Sequence, residues 1–120
     1  LLQRFGQEVD AIFCVNENST IGMTKALREI GRAGGQVKMI GFDAGSLSIK
    51  DMESGDVQGL VVQDPVRMGY EGVMTVAAQL EGKPVEKRLD TGVVMITPEN
   101  LTEEESQRLL NPPIDTYLGE

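Results

Sequence analysis

At 120 residues, 40% of them hydrophobic and 25% charged, the chain is sized for one compact α/β domain. A net charge of −8 argues against a nucleic-acid or anionic-lipid partner, because affinity for phosphates comes from Lys and Arg. The absence of histidine removes His-based triads, most zinc sites and the usual neutral-pH general base, and a single cysteine allows no internal disulfide.

The opening LLQRFGQEV reads as the tail of a helix already under way. With Leu1 in place of a methionine, the sequence is expected to be a fragment. Asp10–Val15 is an apolar run too short for a helix and predicts a buried strand. A helix follows over about Ser19–Arg32, with Asn18 or Ser19 as its cap and Ile21, Ala26, Leu27 and Ile30 near one face. Val37–Phe42 predicts a second strand and Ser46–Ser54 a short helix stopped by Gly55. Val57–Val62 predicts a third strand. Asp64 then caps a helix running from Pro65 to about Glu81, with Pro65 where a missing N–H costs nothing. Val85–Asp90 and Gly92–Thr97 read as extended segments, and Thr102–Leu110 as a capped, acid-fronted helix stopped by Pro112-Pro113. Apolar strands alternating with helices imply a parallel sheet flanked by helices, with the first three strands adjacent and parallel.

Ligands of such sheets bind beyond the C-terminal ends of the strands. The residues there are Asn16, Asp43 and Gln63, each polar and each directly after an apolar strand. A carboxylate accepts from two neighbouring hydroxyls, and an amide both donates and accepts, so the trio suits a neutral polyol without metal or cofactor. Each residue alone also fits a cap or a turn. Their coincidence at three strand ends favours a site.

The segments DAIFCVNENSTIGMTKALREIG, VKMIGFDA, GLVVQDPVRMGYEGV and LDTGVVMITPENL, in this order and spacing, resemble the ribose-type periplasmic sugar-binding proteins of ABC transporters over about Val9–Asn111. The resemblance implies a partial type I periplasmic-binding-protein fold with Asn16, Asp43 and Gln63 as sugar ligands. It further implies that residues 1–63 hold most of the C-terminal lobe. Residues 64–90 would cross into the other lobe, and 91–120 would return, with Asp64, Pro65 and Thr91 at the hinge. The family's aromatic stacking residues, arginine and several aspartate ligands precede the stretch matched here.

Other features have simpler readings. GRAGG lacks GxGxxG spacing and follows a helix, so it is a C-cap or loop. Asp43 lacks the earlier acidic pair that a phosphoacceptor needs. Cys14 reads as a small core residue and Phe42 as facing the packing side, since Asp43 takes the site direction. The scattered methionines read as filler or surface. Gly69 and Gly72 suggest close packing of their helix, and Glu103–Glu105 suit a helix N-terminus.

The resemblance thus implies a solute-binding protein: reversible capture of a monosaccharide, a membrane permease as partner, a periplasmic or extracytoplasmic location and no enzymatic activity. The alternative is the effector domain of a LacI-type repressor, which shares the fold. The NPP tail and the LDTGVVMITPENL stretch favour the transport proteins. If residues 64–90 belong to another lobe, Val66, Val73, Val76, Ala77 and Leu80 form an uncovered stripe. The helix is then expected to repack onto its own sheet, self-associate or swap with a second copy, and the isolated chain to bind monosaccharides negligibly.

Overall fold

The computed structural model describes residues 2–5, 7–114, 116 and 119. Its elements run α1 (Leu2–Phe5), β1 (Ala11–Phe13), α2 (Glu17–Glu29), β2 (Lys38–Phe42), α3 (Ser46–Glu53), β3 (Gly59–Gln63), α4 (Pro65–Leu80), β4 (Val93–Ile96) and α5 (Glu104–Leu110). The four strands form one sheet in the order β1-β2-β3-β4. The expected strands β1, β2 and β3 are adjacent and parallel, and β4 adds antiparallel to β3, so the sheet is mixed.

Local chemistry sets the element ends. Asn16, and not the expected Asn18 or Ser19, caps α2: its side chain accepts from the Ser19 N–H at 2.9 Å, and the Asn16 N–H donates back to Ser19 Oγ at 3.3 Å. This reciprocal pair starts the helix two residues earlier than the apolar spacing suggests. Gly31 and Gly55, with φ of 69° and 83°, end α2 and α3 in the left-handed conformation. At α5 the cap is Glu103, without a side-chain hydrogen bond, so the capping expected of Thr102 does not form.

The sheet buries one face. Register places Ile12, Met39, Gly41, Leu60, Val62, Val94 and Ile96 on one side. Met39, Leu60 and Ile96 there have no exposed surface and join Leu27 of α2, Met52 of α3 and Leu109 of α5 in a single core. A Cβ at Gly41 would stand 2.7 Å from Thr20 Oγ1 and 2.8 Å from Leu60 Cδ2, so only glycine lets α2 come this close. Arg28 clasps Asp51 and Asp56 at 2.6 Å each, tying α2 to the end of α3.

On the opposite face Phe13, Val93 and Met95 are 56%, 60% and 46% exposed. The double-faced apolar strands predict helices on both sides. The described residues cover one. Phe42 therefore lies half-buried on the open side, edge-on to Phe13 with ring centroids 6.5 Å apart, and not in the core. Cys14 is buried as expected, and burial pushes its thiol up despite a hydrogen bond from Ser19 that lowers it.

Helix α4 buries none of its residues, and Val73, Val76 and Leu80 are 69%, 60% and 83% exposed. The expected repacking onto its own sheet does not occur. Asp64 fixes the helix at its origin by accepting from the Arg67 N–H at 2.9 Å, and the molecule extends over 57 × 31 × 23 Å. After α4, residues 81–92 are largely exposed and form no strand. The segment Val85–Asp90, expected to be extended, has no neighbouring strand among the described residues to complete a ladder.

Candidate functional site

The parallel order of β1, β2 and β3 carries their C-terminal ends to one edge of the sheet. Asn16 stands there as the cap of α2. Its Oδ1 is spent on the Ser19 N–H, and its amide nitrogen has no partner among the described residues. Asp43 continues the β2 ladder through its N–H to the Val61 carbonyl at 2.8 Å, then turns sharply with φ of 65°. That turn breaks the alternation of the strand and brings the carboxylate to Gln63, whose Nε2 donates to Asp43 Oδ1 at 3.2 Å. Gln63 is the last residue of β3.

Asp43 and Gln63 line an open groove of about 480 Å³ together with Glu17, Ala44, Gly45, Val62, Pro65, Met68 and Leu109. Asn16 does not line it and stands one residue before Glu17. The structure thus joins two of the predicted residues directly and leaves the third at the same edge. Asp43 and Gln63 each hold one polar atom in their mutual bond. Asp43 Oδ2 and Gln63 Oε1 have no partner among the described residues, so each keeps capacity for a ligand. Such mutual bonds fix side chains before a ligand arrives and reduce the entropy lost on binding. Among the described residues no group of three or more His, Cys, Asp or Glu side chains is placed to hold a metal ion.

Sequence reasoning missed Glu17, Gly45 and Met68. Glu17 reads in the sequence only as an acidic residue in the first turn of α2. Nothing local announces that it reaches the loop after β2.

The three predicted crossing residues lie close together. The last β3 residue, Gln63, pairs with the first β4 residue, Val93, so the chain leaves and re-enters the sheet at neighbouring positions. Asp64 and Thr91 line one cleft of about 220 Å³ with Arg67, Glu105 and Arg108. Arg108 Nη1 donates to Asp64 Oδ2 at 2.8 Å. The Arg67 N–H and then the Arg108 guanidinium hold the Asp64 carboxyl below its ordinary value. Pro65 occupies the first turn of α4 and also faces the large groove.

Comparison with known proteins places these features in a family. The sequence profile of the periplasmic binding protein domain matches residues 1–84. The chain is 31% identical over 90 residues to the ribose import binding protein of Haemophilus influenzae, covering 75% of this chain and 30% of that protein. It is 30% identical over 98 residues to a putative rhizopine-binding protein of Rhizobium meliloti, covering 82% of this chain and 32% of that one. Among solved structures, a solute-binding protein of an ABC transporter from Agrobacterium vitis with bound D-fucose superposes with a TM-score of 0.81 at 35% identity. One from Agrobacterium radiobacter in complex with D-arabinose gives 0.82 at 33%. Both superpositions cover 91% of this chain and 37% of the other. The chain therefore spans about a third of the length of these relatives.

Proposed function

The chain belongs to the periplasmic binding protein family, in its ribose-type sugar-binding branch, and on that premise we propose that it is the C-terminal part of a two-lobed solute-binding protein of an ABC-type sugar importer. In this reading the protein captures a monosaccharide reversibly between its lobes, in an extracytoplasmic compartment, and delivers it to a membrane permease without covalent chemistry. Asn16, Asp43 and Gln63 supply one lobe's share of the hydrogen bonds. The hydrogen bond between Asp43 and Gln63, at the mouth of the groove where β2 and β3 end, is the observation that carries this reading.

Residues 64–90 form an arm that leaves the sheet beside its point of return, and α4 has no fully buried residue. This supports assigning the arm to the second lobe, with Asp64, Pro65 and Thr91 at the hinge. The names of the relatives point to transport proteins and sugars, which favours an importer component over a LacI-type repressor and over an enzyme.

The test is titration calorimetry of D-ribose, D-arabinose and D-fucose on the two-lobed protein, with Asp43→Ala as the variant. A hydrogen bond to a charged group contributes about 1.5–3 kcal/mol, so affinity should fall roughly 10- to 150-fold. Unchanged affinity would remove Asp43 from the site. The 120-residue chain alone should show no measurable heat with any of the three sugars, because the facing lobe and its hydrogen-bonding groups are missing.

A further inference from the structure

We infer that Glu17 is a specificity-determining residue of the same groove, its carboxylate accepting a hydrogen bond from a hydroxyl of the bound sugar; the inference rests on the sugar-binding reading above. Glu17 is half-buried and lines the groove with Asp43 and Gln63. Its side chain leaves the first turn of α2 and lies over the loop after β2. A Cβ on Gly45 would collide with Glu17 Oε1, and would stand 2.6 Å from Cδ and 3.1 Å from Oε2. The bare backbone of Gly45 is thus the seat on which the carboxylate rests.

Of the acids near this edge, Asp64 holds Arg108 and the Arg67 N–H, and Asp43 gives one oxygen to Gln63; Asp51 and Asp56 hold Arg28 at the far end of α2. The Glu17 carboxylate has no hydrogen bond or ion pair among the described residues. A partly desolvated carboxylate without a donor is an unfavourable arrangement that a ligand hydroxyl corrects. Gly45 has φ −74° and ψ 165°, a conformation that alanine adopts freely. Gly45→Ala therefore leaves the backbone unstrained, and the atoms its methyl would meet are those of the Glu17 carboxylate. It acts on the proposed ligand without touching its chemistry.

The experiment is calorimetric titration of the two-lobed protein with D-ribose, D-arabinose and D-fucose, for Glu17→Gln, Gly45→Ala, the double variant and Asp43→Ala, each with its thermal midpoint. Glu17→Gln should weaken binding roughly tenfold or more, the scale of one hydrogen bond to a charged group. It should also alter the order of preference among the three sugars, since a single acceptor reads a particular hydroxyl. Gly45→Ala should reproduce both effects, and the double variant should bind no more weakly than either single one, because both changes remove the same contact. Wild-type affinity and preference in Glu17→Gln and Gly45→Ala, with binding lost in Asp43→Ala, would overturn the role of Glu17 and leave the site standing. Wild-type binding in Asp43→Ala as well would bring down the site and the inference with it. A loss of affinity that merely tracks a fallen thermal midpoint, with the sugar preference unchanged, would make Glu17 structural and overturn the inference.

Discussion

Asp43 is the one non-glycine residue at positive φ among the described residues. The left-handed conformation costs an L-residue roughly 1–2 kcal/mol, less for Asp and Asn, whose short polar side chains form local hydrogen bonds. Here the turn brings the carboxylate to Gln63. Asp43→Asn should keep both the turn and a bond to Gln63 through its amide oxygen, so the urea midpoint should stay near wild type while sugar affinity of the two-lobed protein falls. A large drop in the midpoint would show that the charge stabilises the fold itself. Gly41 makes a sharper case. Thr20 is fully buried and its hydroxyl is engaged by the Asn16 carbonyl at 2.9 Å and the Phe42 N–H at 3.4 Å, so it cannot yield to a new methyl. Gly41→Ala should destabilise by about 1–3 kcal/mol through overpacking, read as a lower urea midpoint at unchanged slope. At this scale the groove was legible where a polar residue ends an apolar strand, as at Asp43 and Gln63, while Asn16 stands at the same edge outside it. It was not legible at Glu17 and Gly45, which meet only because the sheet places α2 beside the loop after β2.

Elements were read well where a local device fixes them. Asp64-Pro65 opens α4 and Gly55 follows α3 as the residue types require. The start of α2 moved because the reciprocal Asn16–Ser19 pair outcompetes the apolar spacing that pointed to Ser19. The antiparallel sense of β4 was not readable, since it depends on where the chain re-enters the sheet after a long excursion. Ion pairs also join elements, and they predict an acid response. Burial pushes Asp56 up, but the hydrogen bonds from Arg28 and the Gly34 N–H outweigh it and leave the carboxyl below its ordinary 3.8. Asp64 is held below the same 3.8 by the Arg67 N–H and Arg108. A carboxyl depressed in the fold contributes stability that is complete above its unfolded value and is lost as pH falls through its folded one. The thermal midpoint should therefore hold steady down to about pH 4 and decline below it, a limb that charge-removing variants should flatten. Asp64→Asn keeps a good helix cap and loses the pairing with Arg108, which is 57% exposed. Its cost near neutrality should be at most about 1 kcal/mol, against about 0.5–2 kcal/mol for loss of the cap in Asp64→Ala. An acid limb unchanged in both Asp64→Asn and Asp56→Asn would assign the acid sensitivity to other carboxyls.

At the scale of the whole molecule, the strands carry apolar residues on both faces, and the described residues cover one. The sequence made the double-faced pattern plain, but it could not display which face is left open, because that depends on which side α2, α3 and α5 pack. The open face presents Phe13, Val93 and Met95, and α4 presents Val73, Val76 and Leu80, all at least 46% exposed. Burial of apolar surface is favourable by about 25 cal/mol per Å², and a helix of this length has little stability of its own in water. With repacking onto its own sheet absent, the isolated chain is expected to associate with copies of itself. Sedimentation velocity across a concentration series should show a weight-average mass rising above the 13.0 kDa of one chain. Val73→Glu with Leu80→Glu should weaken that association, because a charge at a contact between copies must be desolvated. The two-lobed protein, in which we propose that the missing lobe covers α4, should sediment as a single species over the same range. In that protein the same two substitutions should instead lower the thermal midpoint, since they would then lie inside a core. A strictly monomeric isolated chain at high concentration, with unchanged stability of the substituted two-lobed protein, would show that α4 is a solvent-facing helix and that the assignment of residues 64–90 to the second lobe is wrong.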